Sequence, residues 1–266
     1  MSSNLTNVHP KAKIGKGTEI SPFVTIYEDV EIGDNCWIGP NVTIMNGARI
    51  GHGVKIFPGA VISGDPQDLK YNGEVTYAII GDGTTVRECV TVNKGTTASG
   101  KTVVGKNCLL MAYAHVAHDC IIGNNCVIAN NAALAGHIIV EDYAVLGGVT
   151  AVHQFVKIGQ HAFISGGSLV RKDVPPFVKA AKEPLSYVGV NSIGLKRRGF
   201  DDDRINRIED IYRIIFVKNH NVSRALSLVE SEMEPSPDRN TILDFIRSSE
   251  RGIMKGYTNG KYENND

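Results

Sequence analysis

Every sixth residue from Val8 onward is apolar: Ile14, Ile20, Ile26, Ile32, Ile38, Ile44, Ile50, Ile56 and Ile62 follow in strict register. Carried on to Val170, the count gives 28 positions, of which 25 are Ile, Val or Leu and only Asp68, Glu74 and Ala98 break the rule. No helix repeats at six residues. The period is that of a parallel β-helix, in which each hexad makes one short strand and one tight turn and the aliphatic side chains stack inside. Gly follows the aliphatic position in Ile14-Gly15, Ile32-Gly33, Ile38-Gly39 and Ile50-Gly51. Gly or Asn at a corner supplies the left-handed backbone that other residues avoid. With three hexads to a coil, residues 18 apart lie above one another at the strand spacing of about 4.8 Å. The period leaves the hand of the coil open.

Two stretches cannot line a core, namely 63–78 (SGDPQDLKYNGEVTYA) and 93–102 (NKGTTASGKT). Both return the chain to the same register, so they read as loops thrown out from an uninterrupted stack, and loops on a rigid scaffold commonly carry binding groups. The first is rich in functional side chains at Gln67, Asp68, Lys70 and Tyr71. The register stops at Asp173-Val174-Pro175-Pro176, where two prolines remove backbone donors. Beyond Gly199 the period becomes helical. Ile205, Ile208, Ile211, Tyr212, Ile215 and Phe216 share one face behind the capping run Asp201 to Asp203. Ser223 is expected to cap a second helix running to Met233, and a third follows Pro235 to Asp238 with Ile242, Leu243, Phe245 and Ile246 inward. The expected organisation is a mainly β protein: a β-helix over 1–190, a small α-helical domain over 191–256 and a disordered polar tail over 257–266.

Charge alters this picture little. The 28 basic and 28 acidic residues cancel, so nothing global favours nucleic acid or a membrane surface, and an anion site has to come from a local cluster such as Lys196-Arg197-Arg198. The N-terminus lacks the charged-then-apolar pattern of a signal peptide, and no apolar run approaches the roughly 18 residues of a spanning helix. A soluble cytoplasmic protein is expected, without membrane insertion. Of five cysteines, Cys36, Cys108, Cys120 and Cys126 fall four residues after the aliphatic position, a slot filled elsewhere by Ala, Val, Thr and Ser. They read as small buried residues in a reducing compartment, neither disulfides nor metal ligands.

Candidate chemistry gathers in Leu110 to Cys120 (LMAYAHVAHDC). His115 and His118 are three apart on a short strand, so their side chains are expected to leave opposite sides, which argues against one metal held by both. Asp119 can orient His118 or stabilise its charged form. On the map of 18, Asp119 lies beneath His137, and His153 shares a column with Ala135 and Ala117, beside His118. A single histidine is ordinarily a satisfied surface residue; three in adjacent coils, beside both loops, indicate a cleft.

GDPQDLKY, HVAHDC, LAGH, VHQF, DVPP and GLKRRGF, in this order, on this repeat and ahead of helices, resemble the acyl carrier protein dependent UDP-N-acetylglucosamine O-acyltransferases, the first enzymes of lipid A synthesis. The resemblance implies a left-handed coil and a homotrimer with clefts between neighbouring β-helices. There an (R)-3-hydroxyacyl group would pass from the phosphopantetheine thioester of acyl carrier protein to the sugar 3-hydroxyl of UDP-N-acetylglucosamine. No metal and no further cofactor are implied. By matching, His118 is the general base, Asp119 its orienting partner and Gly136 the backbone N–H donor to the oxyanion. Gln67, Asp68, Lys70, His115, His137, His153 and Gln154 would bind substrate groups, and Asn191, Arg197 and Arg198 the nucleotide or its phosphates. Gly166 would be the acyl-chain ruler, open to a long chain. Ile193 stands where better-known members carry an acidic nucleotide contact, and Asn93 where they carry His.

Three other readings compete. A related β-helix enzyme N-acylates a sugar amine but carries an additional N-terminal uridine-binding domain, whereas this repeat starts at Val8. Some left-handed β-helices are zinc carbonic anhydrases, whose ligand spacing His115 and His118 do not share. A purely structural coil would leave the two loops and the helices unexplained.

Overall fold

In the computed structural model, which describes residues 5–218 and 221–256, strands of two to four residues end at or just beyond the aliphatic positions and stack into three parallel sheets. They form the faces of a left-handed parallel β-helix of triangular section. Sheet 1 carries the strands from Asn7–Val8 to Leu169–Val170, sheet 2 those from Lys13–Ile14 to Lys157–Ile158, and sheet 3 those from Glu19–Ile20 to Phe163–Ile164. Away from the excursions, partners lie 18 apart, as in Val116↔Leu134 and Leu134↔Val152. Ile44, Ile62, Val116 and Leu134 are wholly buried, so the core is one continuous aliphatic stack whose burial drives the fold.

The excursions change the spacing without changing the register. Ile62 pairs with Val92 and Val92 with Val116, separations of 30 and 24 residues, so the first adds two hexads and the second adds one. The strands flanking them run inward to Gly64, Tyr77, Asn93 and Lys101. Both excursions leave from the corner between sheet 1 and sheet 2, in successive coils. The next three turns at that corner are His118-Asp119, Gly136-His137 and Gln154-Phe155. At each, a residue with a side chain takes the left-handed conformation expected of Gly or Asn: Asp119 (φ 59°), His137 (φ 62°) and Phe155 (φ 63°). Ladder hydrogen bonds hold them there, His137 N–H donating to His118 O (3.1 Å) and Phe155 N–H to Gly136 O (3.2 Å).

The four in-slot cysteines are buried, and each thiol donates to a carbonyl of the coil above, as Cys120 does to Ala135 O (3.0 Å) and Cys108 to Gly123 O (3.1 Å). Burial pushes the Cys120 thiol up to about 12, so it stays neutral.

Past the prolines, Val178–Ala181 extends sheet 3 and turns back as the antiparallel strand Ser186–Val190, which in turn pairs with Lys255–Gly256. Four helices follow, α1 (Ser192–Lys196), α2 (Asp202–Phe216), α3 (Val222–Glu232) and α4 (Pro237–Arg247). α1 is too short to show a period in sequence. Asn191, Asp201, Asn221 and Ser236 cap them by accepting backbone N–H groups. The second long helix is thus capped by Asn221, whose amide oxygen binds Arg224 N–H at 2.8 Å, where Ser223 was expected. Residues 257–266, the expected tail, lie outside the described residues. No helix among the described residues is long and apolar enough to cross a membrane.

α2 is docked by Tyr212, which is fully buried and donates its hydroxyl to Pro176 O (2.5 Å) at the end of the coil. Tyr212→Phe strands that carbonyl and is expected to destabilise the protein by about 1–3 kcal/mol, with a lowered melting temperature. An unchanged melting temperature would show that the bond does not tie the helices to the coil.

Candidate active site

The strand His115–Val116 delivers the chain to the turn that carries His118 and Asp119, both buried at the sheet 1/sheet 2 corner. His118 is therefore in the turn, and the strand alternation expected to send it away from His115 does not apply. The two are neighbours, and the His115 imidazole is held below its usual range first by burial and then by its proximity to His118. His115 Nδ1 also meets Thr91 Oγ1 at 2.7 Å.

His118 Nδ1 lies 2.7 Å from Asp119 Oδ2. The second excursion folds over the carboxylate: Thr96 N–H donates to Oδ1 (3.0 Å), Thr96 Oγ1 to Oδ2 (2.7 Å) and Ser99 Oγ to Oδ1. Burial alone would raise the Asp119 pKa; hydrogen bonds from Ser99, His118 and Thr96 outweigh it and hold the carboxyl at about 2. An ionised carboxylate only accepts, so Nδ1 carries a proton, and it is on Nε2 that the neutral imidazole has its lone pair.

The same imidazole rests on the backbone of the next coil. A Cβ on Gly136 would lie 2.6 Å from His118 Cε1 and 2.8 Å from Nε2, so only glycine lets the ring and the peptide approach this closely. The Gly136 N–H makes no hydrogen bond among the described residues. His137 packs edge-on to His118 (centroids 5.1 Å apart) and stacks on Phe155 (4.6 Å), with Nε2 3.7 Å from Asp119 Oδ2. His153 and Gln154 are exposed one coil further on, His153 Nδ1 meeting Gln154 O at 3.2 Å.

Gln67, Asp68 and Lys70 project from the first excursion at the same corner, and Asp68 shapes its turn by accepting Lys70 N–H (3.0 Å) and Tyr71 N–H (3.0 Å). That loop is pinned to the second: Asn93 Nδ2 donates to Asp65 O (2.9 Å), Lys94 Nζ pairs with Asp65 Oδ1 (2.8 Å) and Thr76 Oγ1 donates to Gly95 O (2.6 Å).

One chain does not bring Asn191, Arg197 and Arg198 to this corner. They line a cavity of about 710 Å³ on sheet 3, the face opposite it, together with Val145, Phe163 and Lys179. Asn191 spends its amide on the fold, capping Gly194 N–H (3.3 Å) and donating to His161 O (2.9 Å). Arg198 lies over the Tyr143 ring at 5.2 Å. Ile193 stands exposed at the mouth of the cavity. Gly166 sits at a third place, the corner between sheets 3 and 1, with Gly148 O 3.0 Å from where its Cβ would be. Thr96 and Ser99 were not singled out in sequence, because Thr and Ser in a polar loop carry no periodic signal.

Residues 29–64 and 101–136 match the six-repeat hexapeptide family of bacterial transferases, and residues 173–254 match the second domain of UDP-N-acetylglucosamine O-acyltransferase. A Janthinobacterium protein named acyl-(acyl carrier protein)-UDP-N-acetylglucosamine O-acyltransferase is 44% identical, over 93% of this chain and 97% of its own. A UDP-N-acetylglucosamine acyltransferase of Bacteroides fragilis superposes with a TM-score of 0.93 at 49% identity, over 96% of this chain and 100% of that one. That of Francisella novicida gives 0.92 at 37%, over 95% and 93%. Coil, corner and closing helices thus define an acyltransferase of the hexapeptide-repeat class. Within that class, the chain belongs to the acyl carrier protein dependent UDP-N-acetylglucosamine O-acyltransferases.

Proposed function

We propose that the protein transfers an (R)-3-hydroxyacyl group from acyl carrier protein to the 3-hydroxyl of UDP-N-acetylglucosamine, the first step of lipid A synthesis, with His118 as general base. The observation that carries this is the His118–Asp119 pair, whose free Nε2 faces the Gly136 backbone. Nε2 takes the proton of the sugar hydroxyl as its oxygen attacks the thioester carbon. The Gly136 N–H donates to the oxyanion that forms there. Collapse expels the pantetheine thiolate, which takes the proton back from His118, leaving an ester and a thiol. The donor brings its own phosphopantetheine, so the reaction needs no further cofactor.

A metal reading is disfavoured by the wiring of the same groups. Ligand atoms of His118, Asp119 and His137 lie within 4.8 Å of one another. Both oxygens of Asp119 are already engaged by His118, Ser99 and two groups of Thr96, which suits an orienting carboxylate rather than a metal ligand.

Gln67, Asp68, Lys70, His115, His137, His153 and Gln154 surround the reacting centre in this reading. Arg197 and Arg198, with Asn191, would hold the nucleotide phosphates, for which the planar guanidinium is well suited. The two groups of residues lie on opposite sides of one coil, so a complete site requires the corner of one subunit to face sheet 3 of the next. A cyclic homotrimer satisfies this. The enzyme would act in the cytoplasm.

Gly166 would set acyl-chain length. Gly166→Met is expected to shift preference toward shorter 3-hydroxyacyl carriers, measured by competition between long and short donors. An unchanged ratio would remove Gly166 from the acyl groove.

A further inference from the structure

The second excursion is one hexad longer than an ordinary corner, and those residues close over a single carboxylate. Within it, Gly100 N–H donates to Thr96 O (2.7 Å) and Ala98 N–H to Thr96 Oγ1 (3.2 Å). The second bond occupies a lone pair of the Thr96 hydroxyl and turns its proton toward Asp119 Oδ2 (2.7 Å). Ser99 Oγ reaches both Lys101 O and Asp119 Oδ1, and its single proton goes to the stronger acceptor, the charged carboxylate. From below, Thr102 Oγ1 accepts Asp119 N–H (2.9 Å), fixing the turn itself.

Asp119 faces two imidazoles. Oδ2 is 2.7 Å from His118 Nδ1 and 3.7 Å from His137 Nε2, so both imidazoles stand beside the same oxygen. Two further titratable groups lie in this cluster, the half-buried His115 imidazole beside His118 and the Cys120 thiol, which is buried and neutral. Both histidines lie around the carboxylate, and the excursion sets three donors on it.

We propose that Thr96 and Ser99 are positioning residues for the transfer reaction, fixing the Asp119 carboxylate so that it serves His118 rather than His137 and stays ionised beside it. The inference rests on the general-base reading of His118. It assigns the second excursion a part in catalysis without contact with the reacting atoms.

Removing a donor loosens the carboxylate and weakens its hold on His118 Nδ1. The test is steady-state acyl transfer by the full-length enzyme with Ser99→Ala, Thr96→Val and the conservative Ser99→Thr and Thr96→Ser. Hydrogen bonds to charged groups are strong enough that each lost hydroxyl is expected to lower kcat about tenfold, with KM within about twofold. kcat is expected to recover in the conservative Ser99→Thr and Thr96→Ser, which restore the hydroxyl. Ser99 is exposed, so Ser99→Ala keeps the test valid should Thr96→Val fold poorly. A Ser99→Ala enzyme with wild-type kcat, one impaired through KM alone, or one whose loss Ser99→Thr does not rescue, overturns the proposal. Loss of activity in His118→Ala alongside such a result leaves the base reading standing. Retained activity in His118→Ala removes both.

Discussion

His118→Ala is expected to lower kcat by about 10²- to 10⁴-fold, the usual contribution of a positioned general base, while the coil keeps its stability. The side chain occupies a corner outside the aliphatic stack, whose neighbouring members Val116 and Cys120 are untouched. The turn is held by main-chain bonds that alanine preserves, among them His137 N–H to His118 O (3.1 Å). Asp119 retains its contacts with Thr96 and Ser99, so the charge is not left bare. What disappears is the proton acceptor, and with it the ability of the sugar hydroxyl to attack as an alkoxide. Residual turnover would come from positioning and from the Gly136 N–H. Steady-state transfer with a parallel melting curve checks this; a folded variant keeping more than about a tenth of the rate would place the base elsewhere.

Gly136→Ala is expected to be nearly as damaging for a steric reason. The added Cβ would stand 2.6 Å from His118 Cε1 and 2.8 Å from Nε2, closer than packed carbons approach. The ring cannot retreat without leaving Asp119, at 2.7 Å, and the Gly136 peptide cannot withdraw without breaking the bond its carbonyl accepts from Phe155 N–H. Displacement by about 1 Å costs roughly 100-fold in rate. Gly136 is not among the glycines with positive φ, so the loss would report on the imidazole and not on backbone strain. A Gly136→Ala enzyme with wild-type kcat would contradict the close packing of ring and peptide.

The coil was legible because one constraint repeats: each hexad buries an aliphatic residue, so Val116, Leu134 and Val152 announce their own stacking. The two polar interruptions were legible for the converse reason, and counting hexads across them returned the strands to register. The column that sets Asp119 beneath His137 followed from the same arithmetic, although His118 lies in a turn and not on a strand, and Gly136 came only from the family resemblance. Side chains at left-handed corners, such as Asp119 and Phe155, were less legible, since the ladder above and below enforces a conformation that the local sequence disfavours. Thr96 and Ser99 were invisible, because what they touch is set by the path of a loop and not by a period. The placement of Arg197 and Arg198 opposite His118 was also beyond the map, which ends where the repeat ends near Val170.

The most direct test of the account is acyl transfer from (R)-3-hydroxyacyl carrier protein to UDP-N-acetylglucosamine, wild type beside His118→Ala, in buffer freed of metal by a chelator. The account predicts an ester at the sugar 3-hydroxyl from the wild type and a slow, folded variant. No transfer by the wild type, together with activity toward another substrate once zinc is supplied, would contradict it.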